Sequence, residues 1–438
     1  MDLKTTSLRK AFWHYTLPSI AALLVSGTYQ IIDGIFVGHF IGPSGLAGIN
    51  LAWPWIGILL AVGMMIGIGT GAQVSIATGA DKHDLAKSFL VNGLALLCIV
   101  GLPLALILHH NSEWFLYIQG AREDAAAQGN AYLGIIAPSA PIILASIALP
   151  FLVRNLGAPR IATLAMLTGA ISNILLDALF IAWLGWGLRG AALATVLGES
   201  LSILICLFFL MGSRNPLKLS LKDLKITLGQ ISRIVSTGAS SMLMYLYISF
   251  SVILHNVLLL KYGTAIEVAA YSISGFLMAF YYLTAEGISG GMQPLVSYYY
   301  GARQFQRVKD TFKLAAQYGI GIGVGFVIMI LWVPDFFVGF FSRGNPELEA
   351  VARWAIRLQL CGLFLDGFLV LAASWFQSLG LARKATLITL FNMMIQIPFL
   401  LTLPWLLGLN GVWIAVPISN LCLSMFVAVL LWKEFKRL

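Results

Sequence analysis

Five of the eighteen acidic residues in this 438-residue chain, Asp33, Asp177, Glu199, Glu286 and Asp366, fall inside long apolar stretches. At a bilayer centre each acid costs at least about 2.5–3.5 kcal/mol on insertion scales, so it must line water, be paired, or be used. No Lys or Arg inside those stretches stands out as a partner, which predicts that some of the acids hold a proton or bind a cation. Spacing groups the three in the first half with polar neighbours. Tyr29 and Asp33, Asn173 and Asp177, and Thr195 and Glu199 are each four residues apart, which on a helix is one face. Brought together, these faces offer carboxylates, an amide oxygen, a hydroxyl and a phenol. Hard oxygen donors of this kind suit H⁺ or Na⁺ rather than a transition metal, with Asp33 and Asp177 as the place for Na⁺. Two carboxylates meeting in a low dielectric share a proton rather than both ionising.

The polar residues within apolar stretches of the second half are His255, Asn256, Glu286, Asp366, Asn392 and Gln396. Together with Glu199, the group His255, Asn256, Glu286, Asp366 and Gln396 is expected to hold a cationic substrate or a second ion. Met242, Met244, Phe276, Met278, Phe280, Tyr281 and Tyr282 suit an adaptable apolar cavity, and equally suit plain packing. Cys98, Cys206, Cys361 and Cys422 lack the close spacing of a metal site or redox pair and read as buried small hydrophobes. A membrane-embedded enzyme would want a His–acid set near an interface; His109, His110 and Glu113 form the nearby set, expected in a solvated loop. No GxxxxGK[ST] loop is present, so energy must come from an ion gradient or from none, and no cofactor is expected.

The elements that position these residues must be membrane helices. Hydrophobic residues make up 59% of the chain, charged residues 10%, and the mean hydropathy is +0.89. A soluble domain is nearer a quarter charged. The apolar stretches parse into twelve spans of the roughly 20 residues a bilayer requires, near 11–38, 47–77, 88–109, 125–153, 161–183, 189–211, 232–260, 268–299, 314–341, 350–377, 385–407 and 411–432. The fold class is an all-α membrane protein, with no nucleic-acid function implied by the net charge of +9. That charge reads as topology. Alternate loops hold 21 of the 27 basic residues, Arg154 counted among them, while Arg122, Arg189, Lys261, Arg343, Arg353 and Arg357 remain for the other side. The positive-inside bias places both termini in the cytoplasm.

The second half repeats the first. Gly69, Ser75, Gly79 and Ala80 recur as Gly291, Ser297, Gly301 and Ala302; Leu156, Gly157 and Arg160 as Leu379, Gly380 and Arg383; Gly187, Gly190 and Ala194 as Gly408, Gly411 and Ala415. Six spans per repeat keep both halves in one orientation, related by an axis along the membrane normal. The expected organisation is an N-lobe over 1–211, a cytoplasmic linker over 212–230 and a C-lobe over 231–438. The LKLSLKDLK run in the linker suits either a helix lying on the membrane surface or an ordinary charged connection. Asp33 repeats as His255, and Asp177 falls in a segment whose polar residues are Asn392 and Gln396, so the acidic cluster is one-sided.

The stretch LPSIAALLVSGTYQIIDGIFVGHFIG resembles the first helix of multidrug and toxic compound extrusion (MATE) transporters. So do GTGAQVSIATGA at the end of span 2, NLGAPR after span 4 and GLRGAALATVLGES opening span 6. The motifs are individually degenerate; their order, spacing and duplication cover nearly the whole chain. The resemblance implies two pseudo-symmetric six-helix bundles, with Asp33 as the principal protonation residue. It also implies a first helix that bends, with Pro18 as the kink-forming proline, and Tyr29, Asn173, Asp177 and Thr195 as the surrounding hydrogen-bond network. Glu199 departs from the family pattern, where an amide or neutral residue is usual. A C-lobe Na⁺ site built from acids on spans 7 and 10 is matched by Asp366 but not by His255–Asn256.

The function expected is a monomeric carrier in the inner (plasma) membrane, exporting amphipathic, mostly cationic small molecules in exchange for H⁺ or Na⁺. A lipid-linked oligosaccharide flippase of the same architecture is the alternative, disfavoured because it needs a basic cavity.

Overall fold

The computed structural model describes residues 2–119, 123–219, 225–342 and 346–438. Arg122, Lys222 and Arg343, and residues 220–224 of the linker, lie outside the described residues.

The chain is almost entirely helical. The first half runs α1 (Leu8–Phe40), α2 (Pro43–Gly79), α3 (His83–Ile118), α4 (Glu123–Ile136), α5 (Ala140–Asn155), α6 (Pro159–Asp177) and α7 (Gly187–Met211). The second runs α8 (Leu228–Tyr262), α9 (Ala265–Gly301), α10 (Phe305–Trp332), α11 (Pro334–Ser342), α12 (Pro346–Leu360), α13 (Leu363–Ser378), α14 (Ala382–Leu407) and α15 (Leu409–Arg437). Among the described residues nine helices are long and apolar enough to cross a membrane, and the bent pairs α4–α5 and α12–α13 make two more. The 35-residue α8 completes the twelve.

Three departures from the expected spans have local causes. Span 4 breaks by 62° between α4 and α5, where Pro138 and Pro141 each lack an amide donor. Span 10 bends by 42° at Cys361–Gly362. α6 loosens into a π-helical stretch, Ala178–Trp183, directly after Asp177, a distortion found mostly at functional positions. By contrast α1 continues unbroken past Pro18, whose carbonyl accepts a 2.8 Å hydrogen bond from Thr163 Oγ1 on α6.

Duplication is visible in the turns. Asp81 and Arg303, Gly157 and Gly380, and Gly187 and Gly408 are matched positions of the two halves, and all six have positive φ, at 57° and 56°, 90° and 70°, and 58° and 59°. A Cβ at Gly380 meets nothing closer than 3.5 Å, so the left-handed backbone alone is what excludes a side chain there. Gly380→Ala is therefore expected to cost about 1–2 kcal/mol, seen as a fall in the thermal-unfolding midpoint of the purified protein.

The two halves meet through glycines on α2, α8 and α9. A Cβ at Gly79 would stand 2.0 Å from the Tyr298 carbonyl oxygen, and one at Gly301 2.0 Å from that of Ile76. Built Cβ atoms at Gly69 and Gly238 fall 2.2 and 1.9 Å from the Ile234 and Met65 carbonyl oxygens, and those at Gly291 and Gly287 fall 2.4 and 2.6 Å from Thr16 and Ile20 of α1. These contacts use the beginnings of α1 and α8 and the ends of α2 and α9, all on the side of the membrane that carries the chain termini. In the other halves of the same helices Gly34, Gly57 and Gly275 have nothing within 4 Å of a built Cβ. The lobes are thus pressed together on the terminal side. Phe12 and Tyr15, in the first turns of α1, are buried there with Met292, Tyr299, Trp375 and Phe376 of the second half. Lys4 Nζ lies 3.1 Å from Asp81 Oδ1, an exposed pair that adds little stability although it holds the lysine's pKa above its ordinary value.

The described parts of the linker are turns and irregular chain as far as Thr227, and its last three residues, 228–230, already belong to α8. Asn215 caps its start, its amide donating to Leu210 O while its carbonyl accepts from Leu217 N. Asn92, fully buried on α3, pins the far end, donating to Lys225 O and accepting from Thr227 N.

Candidate functional site

A small-residue contact sets the first-half site. Gly169 on α6 and Gly198 on α7 are in backbone contact, a Cβ at Gly198 falling 2.8 Å from Gly169 O. Close approach of helices at such residues is what lets polar side chains one turn further along meet. Asn173 and Asp177 lie next on α6, Thr195 on α7, and Asn173 Nδ2 donates to Thr195 Oγ1 at 3.4 Å. Asp33 reaches the group from α1, and its carboxylate and that of Asp177 lie within hydrogen-bonding reach of each other. Asp177 is fully buried. Asp33 Oδ1, both Asp177 oxygens and Asn173 Oδ1 are buried acceptors with no donor among the described residues.

Four acceptors facing inward without a donor make a specific demand. Two carboxylates cannot both be ionised and unpaired in such a place. A proton held between them, or a small cation among the four oxygens, satisfies the cluster. No group of three or more His, Cys, Asp or Glu with metal-site geometry occurs among the described residues.

The phenol of Tyr132, buried on α4, stands beside Asp33 and Asp177 and within hydrogen-bonding reach of Thr195. Sequence reasoning missed it. A tyrosine in the apolar run before the Pro138 break is a weak signal, and the 62° bend that turns α4 inward is not written in any spacing. Tyr29 does not join the aspartate pair directly. It points to Glu199, whose carboxylate is reached by the hydroxyls of Tyr29 and Ser146. The half-buried Pro18 lies four turns below on α1.

The second-half residues divide between two places. Glu286 accepts from Tyr245 Oη at 3.2 Å and lines a cavity between the lobes. Asp366 lies inside the second bundle, accepting 2.7 Å from Asn420 Nδ2. Tyr247 links it to Ser251 and Gln396. His255, 1% exposed, has Nδ1 2.7 Å from Ser251 O, so Nδ1 carries the hydrogen and the buried Nε2 is bare. Its ring stacks on Tyr271 at 4.9 Å. Asn256 is half-buried about 100° further round α8. Tyr282 stands near both Glu286 and Asp366, but the two acids do not share a site.

Several expectations are corrected. Arg154, counted with the loops, is 1% exposed at the end of α5 and lines the inter-lobe cavity, so a buried cation does exist. His109, His110 and Glu113 are exposed on the last turns of α3 rather than in a loop. Of the cysteines only Cys206 is buried, and Cys98 is exposed. Phe276 and Phe280 are about half exposed, whereas Met244 lines the cavity and Tyr281 is buried, donating to Gly319 O.

The MatE family pattern matches this chain twice, over residues 18–179 and again over 240–402. The chain belongs to the MatE family. The two matches restate the duplication, one for each half of a MATE transporter. The chain is 30% identical over 421 residues to the multidrug export protein MepA of Staphylococcus aureus (strain N315), covering 94% of this chain and 91% of that one. It is 28% identical over 430 residues to MepA of Staphylococcus haemolyticus (strain JCSC1435), covering 96% and 93%. A solved outward-facing conformation of a multidrug resistance MATE family transporter superposes with a TM-score of 0.94 at 23% identity, covering 99% of this chain and 97% of that one. MATE crystal structures in a straight and a bent conformation superpose at 0.93 and 0.92, at 23% and 24% identity. The protein is an integral membrane transporter of the MATE family with the twelve-helix, two-lobe fold, a multidrug exporter acting on small molecules.

Proposed function

We propose that this transporter is an antiporter in the plasma (inner) membrane, with both termini cytoplasmic, that exports amphipathic, mostly cationic compounds in exchange for H⁺. The observation that carries the coupling reading is the Asp33–Asp177 pair: two facing carboxylates, three of whose oxygens have no donor. A proton entering from outside bridges them, and its loss leaves two negative charges that must separate. Asp33 is the coupling residue, on α1; Asp177, Asn173, Thr195, Tyr132 and Tyr29 are the network that feels its charge. Na⁺ is the second candidate ion, supported by the unpaired Asn173 Oδ1 beside the carboxylates.

With the termini in the cytoplasm, the glycine contacts close the cytoplasmic side, and the cleft faces outward. In the proposed cycle, protonation of the pair lets α1 shift against α6 and α7, with Pro18 as the point where the helix gives. The N-lobe (1–211) and C-lobe (231–438), tied by the 212–230 linker, then rock about the central cavity. A flippase would need several cations to hold a pyrophosphate. Among the described residues lining the cavity, Arg154 is the only one, facing Glu286.

Reconstituted liposomes separate the ions. An imposed pH gradient is expected to drive uptake of a fluorescent cationic dye into inside-out-oriented protein, and a Na⁺ gradient at constant pH to drive little. The reverse pattern replaces H⁺ by Na⁺ at the same residues; dye movement indifferent to both removes the antiport reading.

A further inference from the structure

The inter-lobe cavity contains a charge that the coupling chemistry does not use. Arg154 is 1% exposed, and among the described residues its buried Nε and Nη1 have no hydrogen-bond partner and it forms no ion pair. Its guanidinium lies 5.1 Å above the Phe151 ring and so close to α9 that a Cβ at Gly290 would stand 2.7 Å from Nη1. A buried, unpaired guanidinium is among the costliest arrangements a protein interior can hold.

The repeat shows that the fold does not require it. Arg154 and Gln377 are matched positions, two residues before Leu156 and Leu379. Gln377 lines the same cavity fully satisfied, its amide donating to Thr237 O at 2.8 Å and Ser241 Oγ at 2.9 Å. A neutral amide therefore suffices to pack this position, and the first half carries a cation instead. The same comparison applies to the cavity's acid. Glu286 matches Met64, which lines the opposite wall. Around a nearly symmetric axis the cavity thus carries one cation on the N-lobe side and one anion on the C-lobe side, unpaired with each other. Glu286 lies one helical turn from Gly290 on the same face of α9, and is held by Tyr245 rather than by Arg154.

We propose that Arg154 anchors the carboxylate of amphipathic ligands in this cavity. The site then takes molecules that carry an acid at one end and a cationic group at the other, the cation meeting Glu286. The planar fork of the guanidinium suits a carboxylate bidentately, and Phe151 holds its plane. Serines and glutamines of the lining add neutral donors, while Met64 and Met244 supply adaptable apolar walls. The proposal deepens the export reading by naming a substrate class, and rests on it only for the ligand's being transported.

Equilibrium binding to the purified full-length protein tests it without any gradient. Rhodamine B carries a cationic ring system and a free carboxylate; its ethyl ester keeps the ring and loses the acid. Fluorescence anisotropy is expected to give the acid about a tenfold or greater advantage over the ester, the scale of a charge-assisted pair. Arg154→Gln, the residue the other half uses, is expected to erase that advantage while leaving the ester's affinity within about threefold. Arg154→Lys keeps part of it, and Glu286→Gln weakens both dyes alike. Equal binding of acid and ester by the unaltered protein overturns the proposal. So does an advantage that survives Arg154→Gln, or a loss in that variant common to both dyes, which leaves Arg154 a solvated packing residue only. A failure of proton coupling in transport leaves each of these readings unchanged.

Discussion

Asp33→Asn is expected to abolish concentrative export while the protein remains folded and inserted. Asparagine keeps the shape of the side chain and adds a donor, so the packing of α1 on α6 persists. The buried Asp177 oxygens, which now have none, gain a partner. A fall in thermal stability is not expected. What disappears is the exchangeable proton. The membrane potential contributes roughly 2.3 kcal/mol per charge per 100 mV, so an uncoupled carrier forfeits about a 50-fold accumulation for each ion it no longer moves. Dye accumulation in proteoliposomes under a pH gradient, with the thermal midpoint measured alongside, checks both halves of this expectation. Near-normal accumulation by Asp33→Asn sinks the assignment of the coupling residue; loss of folding shifts Asp33 to a structural role.

The aspartate pair was legible because membrane burial makes acids conspicuous. Composition isolates Asp33 and Asp177, i,i+4 spacing attaches Asn173 to one of them, and the missing counterparts in the second half mark the cluster as one-sided. The spans were legible from apolar length, and the duplication from residues that recur 221–223 positions later. The turns explain why those residues recur: Gly157 and Gly380, for example, hold the same left-handed backbone. Tyr132 was hidden because a helix break brings it into place. A proline pair signals a break, but the direction of a 62° bend is decided by what the two pieces pack against. Arg154 was hidden by a rule that works on average. Basic residues at span ends belong to loops when the helix stops at the membrane surface, whereas α5 ends inside the inter-lobe contact, where Asn155 accepts from Ser75 of its own lobe and donates to Gln293 across the lobes. The repeat offered a corrective, since the matched position is Gln377, a residue with no reason to sit in a basic loop.

A side chain at Gly301 is expected to have the other large effect, because the closed terminal side is built on backbone-to-backbone contact there. The built Cβ falls 2.0 Å from Ile76 O and 2.8 Å from the carbonyl carbon, so no rotamer relieves it; the helices must part. The partner contact at Gly79 repeats the same geometry on Tyr298, so separation at one glycine strains the other. Both lie on the terminal side, where α2 meets α9, and nowhere near the aspartates. Gly301→Val should therefore leave the ion site chemically intact yet deny the protein the closed terminal side. Transport is expected to fall by at least about tenfold, the consequence of an outward-facing state destabilised by 1.4 kcal/mol or more. A cysteine introduced at Tyr298 should become reachable by a water-soluble maleimide added from the terminal side. Gly57→Val is the control: it is in the same helix as Gly79, with nothing within 4 Å, and should transport normally. If Gly301→Val transports as well as the control, the glycine contact is incidental to the cycle and the lobes do not rock about it. If it fails without exposing position 298, the variant is misfolded rather than trapped, and Gly301→Ala, with the same clash and a smaller side chain, decides between the two.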